Sequence, residues 1–207
     1  MIHVYALTEA TRAMPRLEGI AGRPVTELAV APLAAAFSTH RDADELAVSE
    51  ECLWAHERVV EALMAERAVL PVRFGAAFGD ERALTAALEP RREELARDLE
   101  RVRDRVELGV RIRVDAPDAR PRSGRDYLAG RLDERSRIDG VHQRLAALAH
   151  ESSVTLGARG LTASYLVERG AVERFAAEAD RAAGEVAGVD VVCTGPWPPY
   201  SFVGAAA

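Results

Sequence analysis

The chain has 207 residues, is 48% hydrophobic and 29% charged, and carries a net charge of -6. That is enough apolar material for a packed core, which excludes an intrinsically disordered chain, and the acidic balance argues against a nucleic-acid partner. Two cysteines exclude a disulfide scaffold. All 27 basic residues are arginines, so a P-loop lysine, a pyridoxal Schiff base and a kinase-type strand lysine are excluded. Asparagine is absent too, so N-glycosylation and Asn-Gly hairpins are excluded. The longest uncharged apolar run, residues 28–37, is interrupted by Pro32 and is too short to span a bilayer. The N-terminus enters a strand-like run with no basic lead, so no signal peptide and a cytosolic location are expected.

Residues 2–7 alternate and are β-rich, predicting a first strand. Residues 8–24 carry Pro15, Gly19, Gly22 and Pro24 and read as loop, and 25–31 and 33–39 read as a hairpin with Pro32 near its turn. A helix is expected from Ser49, with Glu50 and Glu51 at its positive end and Val48 stapled to Leu53. Cys52, Ala55, Val59, Ala62 and Leu63 recur at helical spacing and should face a core. Residues 68–75 (AVLPVRFG) then read as a buried strand. Asp80 caps a short helix over 81–88. Residues 91–106 form a charged helix with the thin stripe Leu95, Leu99, Val102 and Val106, which needs a partner surface.

A second unit begins with the alternating strand 109–115. After a proline-bearing loop over 116–123, Ser123 and Asp126 fit a capping box. The long helix that follows, to about His150, should turn Tyr127, Leu128, Leu132, Ile138, Val141, Leu145 and Leu148 inward. Strands over 153–156 and 161–168, a helix over 171–187 and a last strand over 189–194 complete it. The order strand, helix, strand, strand, helix, strand is that of a split βαβ sandwich. The first unit reads as a modified version, with loop in place of its first helix.

The fold class expected is therefore α+β with two domains. Residues 1–106 form a modified ferredoxin-like domain with linking helices over 81–106. Residues 107–195 form a ferredoxin-like domain, and 196–207 an extended tail rich in proline and aromatic residues. Three prolines in 196–199 argue against helix or central strand there. The tail has two compatible readings. Trp197, Tyr200 and Phe202 fold back as core in extended form, or they anchor a partner.

The chain resembles the F/L family of gas vesicle proteins. The resemblance is carried by Val4-Tyr5-Ala6, the run 70–75 (LPVRFG), Gly109-Val110, Tyr127-Leu128, 163–167 (ASYLV), 172–175 (VERF) and above all the terminal run 195–202 (GPWPPYSF). It implies a fold of two α+β domains, the second ferredoxin-like. It also implies a non-enzymatic accessory or minor structural protein that binds the small, very hydrophobic major shell protein, with other gas vesicle accessory proteins as further partners. The location implied is the cytoplasm and the vesicle wall. No nucleic acid, membrane or cofactor is expected.

Chemical candidates are few. Cys52 and His56 stand at i,i+4, with His40 as the nearest third group, but zinc needs a fuller ligand set. The blander reading makes Cys52 a small hydrophobe and His56 the edge of the apolar stripe. Cys193 lacks a neighbouring base in the sequence and should be a buried, inert thiol. No catalytic, cofactor-binding or metal residue is therefore assigned. Arg73 is either a paired, half-buried arginine or an interface residue suited to a carboxylate. The candidate partner-binding or tail-docking residues are Arg73, Leu95, Leu99, Val102, Val106, Trp197, Tyr200 and Phe202. A small-molecule-binding regulatory module is the alternative function, with an enzyme on the same fold as a third.

Overall fold

The protein is described as a computed structural model covering residues 1–10, 13–115, 123–157 and 160–204. The loop expected over 116–123 lies outside these residues except for Ser123. The chain divides into two units, Met1–Arg105 with the segment from Pro198, and Val106–Trp197.

In the first unit, β1 (Ile2–Glu9) is followed by a long loop, then by β2 (Val25–Val30) and β3 (Leu33–Thr39). Helix α1 (Glu50–Glu66), β4 (Leu70–Pro71), β5 (Ala77–Phe78), α2 (Glu81–Leu88) and α3 (Arg92–Val102) complete it. The sheet runs β2-β3-β1-β4, and β5 also pairs with β1. Every β1 residue from Ile2 to Thr8 is buried, which requires cover on both faces. His3 meets α1 through His56, and α3 contacts β1, β3 and β4.

This double cover corrects the reading of the thin stripe. Leu95, Leu99 and Val102 are buried, so the partner surface that α3 needs is its own sheet. The helix also stops short of Val106. Asp104 takes a left-handed φ of 56°, and the chain leaves as strand, with Val106 buried. The strand expected over 68–75 is cut short as well. Pro71 cannot donate to the ladder, and Gly75 turns at φ 96°.

The second unit consists of β6 (Arg105–Val114), α4 (Gly124–Ala146), β7 (Glu151–Gly157), β8 (Gly160–Glu168), α5 (Val172–Glu185) and β9 (Val189–Trp197). Its sheet order is β7-β8-β6-β9. The core gathers Ile112, Val141, Leu145, Tyr165 and Phe175, and both helices contact β8. The cap at Ser123 forms as read, its hydroxyl accepting from the Asp126 N–H at 3.1 Å. Ser49 and Asp80 cap α1 and α2 the same way.

Two expectations for this unit need correction. Tyr127, Leu128 and Leu132 are exposed, whereas Ile138, Val141 and Leu145 are buried. The first turns of α4 are exposed at every residue, so helical periodicity there finds no sheet to cover. The tail is not a separate extended piece either. Strand β9 continues through Pro196 to Trp197, which pairs with Glu107 across an irregular register. Proline is tolerated because β9 is an edge strand. Beyond it, residues 200–202 form a short 3-10 turn rather than an extended run.

Candidate functional site

The N-terminal unit is built around polar groups that its sequence scatters widely. Tyr5 on β1 accepts from the Ile20 N–H at 2.9 Å and donates to Ser38 at 2.7 Å. Ser38 in turn donates to His40 Nε2 at 2.7 Å, and His40 Nδ1 donates to Glu45 at 3.0 Å. Arg23 closes this chain on Glu45 at 2.6 Å and, as the first cause, holds that carboxyl down at about 2. Gly19 is required beside it, since a Cβ there would lie 2.1 Å from Tyr5 Oη.

A second chain runs toward the surface. His56 Nε2 donates to the Val72 carbonyl at 2.9 Å, which leaves Nδ1 to accept from His3 Nε2 at 2.8 Å. Both rings are neutral in this arrangement. Burial pushes His56 down to about 4, and burial with the neighbouring histidines pushes His3 down to about 3. Tyr200 Oη stands 3.4 Å from His56 Nε2 and also hydrogen-bonds the Glu57 carboxyl. Burial raises both the Glu57 carboxyl and the Tyr200 hydroxyl.

The surface above this chain is concave. One cleft of about 530 Å³ is lined by Glu50, Leu53, Trp54, His56, Glu57, Arg73, Phe74 and Tyr200. A second of about 640 Å³ runs past residues 71–78 to Leu88, Arg91 and Val203. They share Arg73, Phe74 and Tyr200, so the turn after β4 is the ridge between them. Arg73 is exposed on that turn, and among the described residues no acid pairs with it. It is therefore not the half-buried strand arginine of the first reading. Trp54 is exposed too, with its indole N–H directed to Glu50 at 3.3 Å.

Of the candidate partner-binding residues read from sequence, Arg73 and Tyr200 meet at these clefts, with Leu95 lining the second. Phe202 is buried at 4% exposure, and its carbonyl accepts from Arg101. Trp197 is 46% exposed and hydrogen-bonds Thr194 of its own strand at 3.4 Å. The expected burial of that indole is thus corrected: it stands outside the core. Val48 and Leu53 are exposed, so the expected staple is absent. Cys52 and Cys193 are free but only half-buried, not fully buried. Cys52 directs its thiol to the Glu45 carbonyl, and burial raises the Cys193 thiol. Among the described residues no three His, Cys, Asp or Glu side chains cluster as metal ligands.

Sequence reasoning missed His3 and Trp54, and met Phe74 only within the run 70–75. Trp54 did carry a signal, because it lies about 100–180° around the helix from the stripe of Ala55, Val59 and Leu63. A tryptophan on the solvent side of an amphipathic helix is the kind of residue that marks a contact surface.

Comparison with known proteins adds an independent line. A family model described as gas vesicle synthesis protein GvpL/GvpF matches residues 1–129 and 125–204. The chain is 34% identical to gas vesicle protein L of a Streptomyces species, over 73% of this chain and 68% of that one. It is 27% identical to gas vesicle protein F1 of Halobacterium salinarum, over 98% and 92% of the two chains. The fold matches the crystal structure of gas vesicle protein GvpF from an Anabaena species, with a TM-score of 0.81 at 17% identity, over 97% and 94% of the two chains.

Proposed function

The chain belongs to the GvpL/GvpF family of gas vesicle synthesis proteins, and from that premise we propose that it is a non-enzymatic assembly factor and minor wall component that binds the small hydrophobic shell protein. The twin cleft at Arg73 is the docking place in this reading. The observation that carries it is an exposed, unpaired arginine between two clefts with Trp54, Phe74 and Tyr200 beside it. Aromatic and arginine side chains are the residue types that dominate interface energetics. The aromatics cover apolar surface of the client, and the guanidinium takes a carboxylate in bidentate fashion. The buried histidine–tyrosine chain beneath holds Tyr200 in place and so keeps the wall of the cleft rigid.

The wider assignment follows the same premise. The protein works in the cytoplasm and at the vesicle wall, alongside other gas vesicle accessory proteins. Both units are ferredoxin-like sandwiches in this reading, divided near residue 106. The sheet orders β2-β3-β1-β4 and β7-β8-β6-β9 support it, since in each the hairpin partner of the second strand inserts beside the first.

Capture of the purified shell protein on the immobilised full chain tests the proposal. Arg73→Glu and Trp54→Ala should each weaken capture strongly while leaving the melting temperature unchanged, because both side chains are exposed. Capture that is indifferent to both would overturn the cleft as the docking place. The clefts also fall in the ~300–1,000 Å³ range of small-molecule sites, which favours the regulatory-module alternative. A metabolite that raises the melting temperature and competes with the shell protein would support that second reading.

A further inference from the structure

The second unit carries a surface that the proposed docking cleft does not use. Strand β7 stands at the edge of its sheet, seven residues long, and six of the seven are exposed. Such an edge offers a row of unpaired N–H and C=O groups, and proteins usually blunt it with lysine, proline or a bulge. Strand β7, with the sequence ESSVTLG, has neither lysine nor proline, and its register with β8 is unbroken from Glu151 to Gly157. Val154 and Leu156 pair with Ala163 and Leu161, both buried, so they point to the helix-covered face yet remain exposed there.

We propose that this face binds a second copy of the chain, with β7 pairing antiparallel to β7 of the partner about Val154. The four-stranded sheet then becomes eight-stranded. The arrangement is self-complementary: Glu151 falls opposite Gly157, Ser152 opposite Leu156, and Val154 opposite itself, so no like charges meet across the ladder. Val154 and Leu156 of both copies lie along the same face of the joined sheet. A single edge ladder lies at the low end of stable interfaces, so the dimer should be concentration-dependent.

Sedimentation velocity of the full chain at rising concentration tests this. The wild type should pass from monomer to dimer. Val154→Lys and Leu156→Lys should each weaken self-association by roughly tenfold or more, the equivalent of about 1.4 kcal/mol. Both positions are exposed, so circular dichroism and melting should stay unchanged and certify the fold. A chain that is monomeric throughout overturns the proposal, as does a dimer that both variants leave intact. A monomer whose shell-protein capture is lost in Val154→Lys would assign the edge to a client strand instead, and self-pairing would be wrong. Arg73→Glu should leave the dimer untouched, so failure of the cleft reading and failure of this one are separable.

Discussion

The two units share a sheet order, β2-β3-β1-β4 in one and β7-β8-β6-β9 in the other, yet build cores of opposite character. The first buries His3, His40, His56, Ser38 and Thr8 among its apolar residues and covers β1 on both faces. The second fills its core with aliphatic and aromatic side chains, among them Tyr165, hydrogen-bonded to His142 at 2.7 Å, and leaves β7 open. A buried polar chain is costly when incomplete and specific when complete. The first unit therefore gains a rigid wall under its clefts at the cost of sensitivity to protons. The second rests chiefly on apolar packing and offers an open edge. Each unit also holds one tryptophan, Trp54 and Trp197, so single-tryptophan variants report on the units separately.

The largest effect should come from the apolar core. Phe175→Ala should cost about 3–5 kcal/mol, read as a lower urea midpoint by Trp197 emission in a Trp54→Phe background. Equal destabilisation seen by Trp54 would mean that the units unfold as one, and the comparison would then concern packing rather than independent stability.

The pH response should follow next and should single out the first unit. His3 and His56 titrate at about 3 and 4 when folded, below the 6.5 of the unfolded side chains. The unfolded state then binds more protons in the interval, so stability falls as pH drops below about 6.5 and levels off near the folded values. The slope is up to about 1.4 kcal/mol per pH unit for each histidine. Acid titration should quench the Trp54 transition before that of Trp197, and His56→Gln should flatten the dependence. A parallel loss in both units would break the contrast.

Removing one hydroxyl should sharpen it. Tyr5→Phe strands the buried Ile20 N–H and removes one of the two partners of the Ser38 hydroxyl, and should cost about 1–3 kcal/mol by denaturant melting. The smallest effect belongs to Trp197→Ala. With its indole 46% exposed, that change should cost under about 1 kcal/mol, whereas Phe202→Ala, at 4% exposure, should cost several-fold more. Reversed magnitudes would restore the docked indole that the terminal motif first suggested.

Local chemistry was open to reading without any tertiary knowledge. Ser49, Asp80 and Ser123 start helices because a side-chain oxygen satisfies the backbone N–H three residues on, an interaction contained within one turn. Period-two and period-3.6 patterns located the strands and helices, and their order led to two mixed α+β units for the same reason. The terminal motif pointed to the family, which matched relatives and a solved fold support.

What the sequence could not decide was which apolar stripe would find a cover. Leu95, Leu99 and Val102 look like a contact surface but are roofed by their own sheet, while Leu128 and Leu132 look like core but project past theirs. Periodicity fixes the side of a helix on which a residue lies, not what lies opposite. The histidine chain was hidden for the same reason, since His3 and His56 stand 53 residues apart and only the packing of α1 on β1 brings their facing ring nitrogens to 2.8 Å. Composition, caps and strand order are local properties written along the chain, whereas cover, cleft and free edge depend on which distant segments meet, and those meetings exist only in the folded molecule.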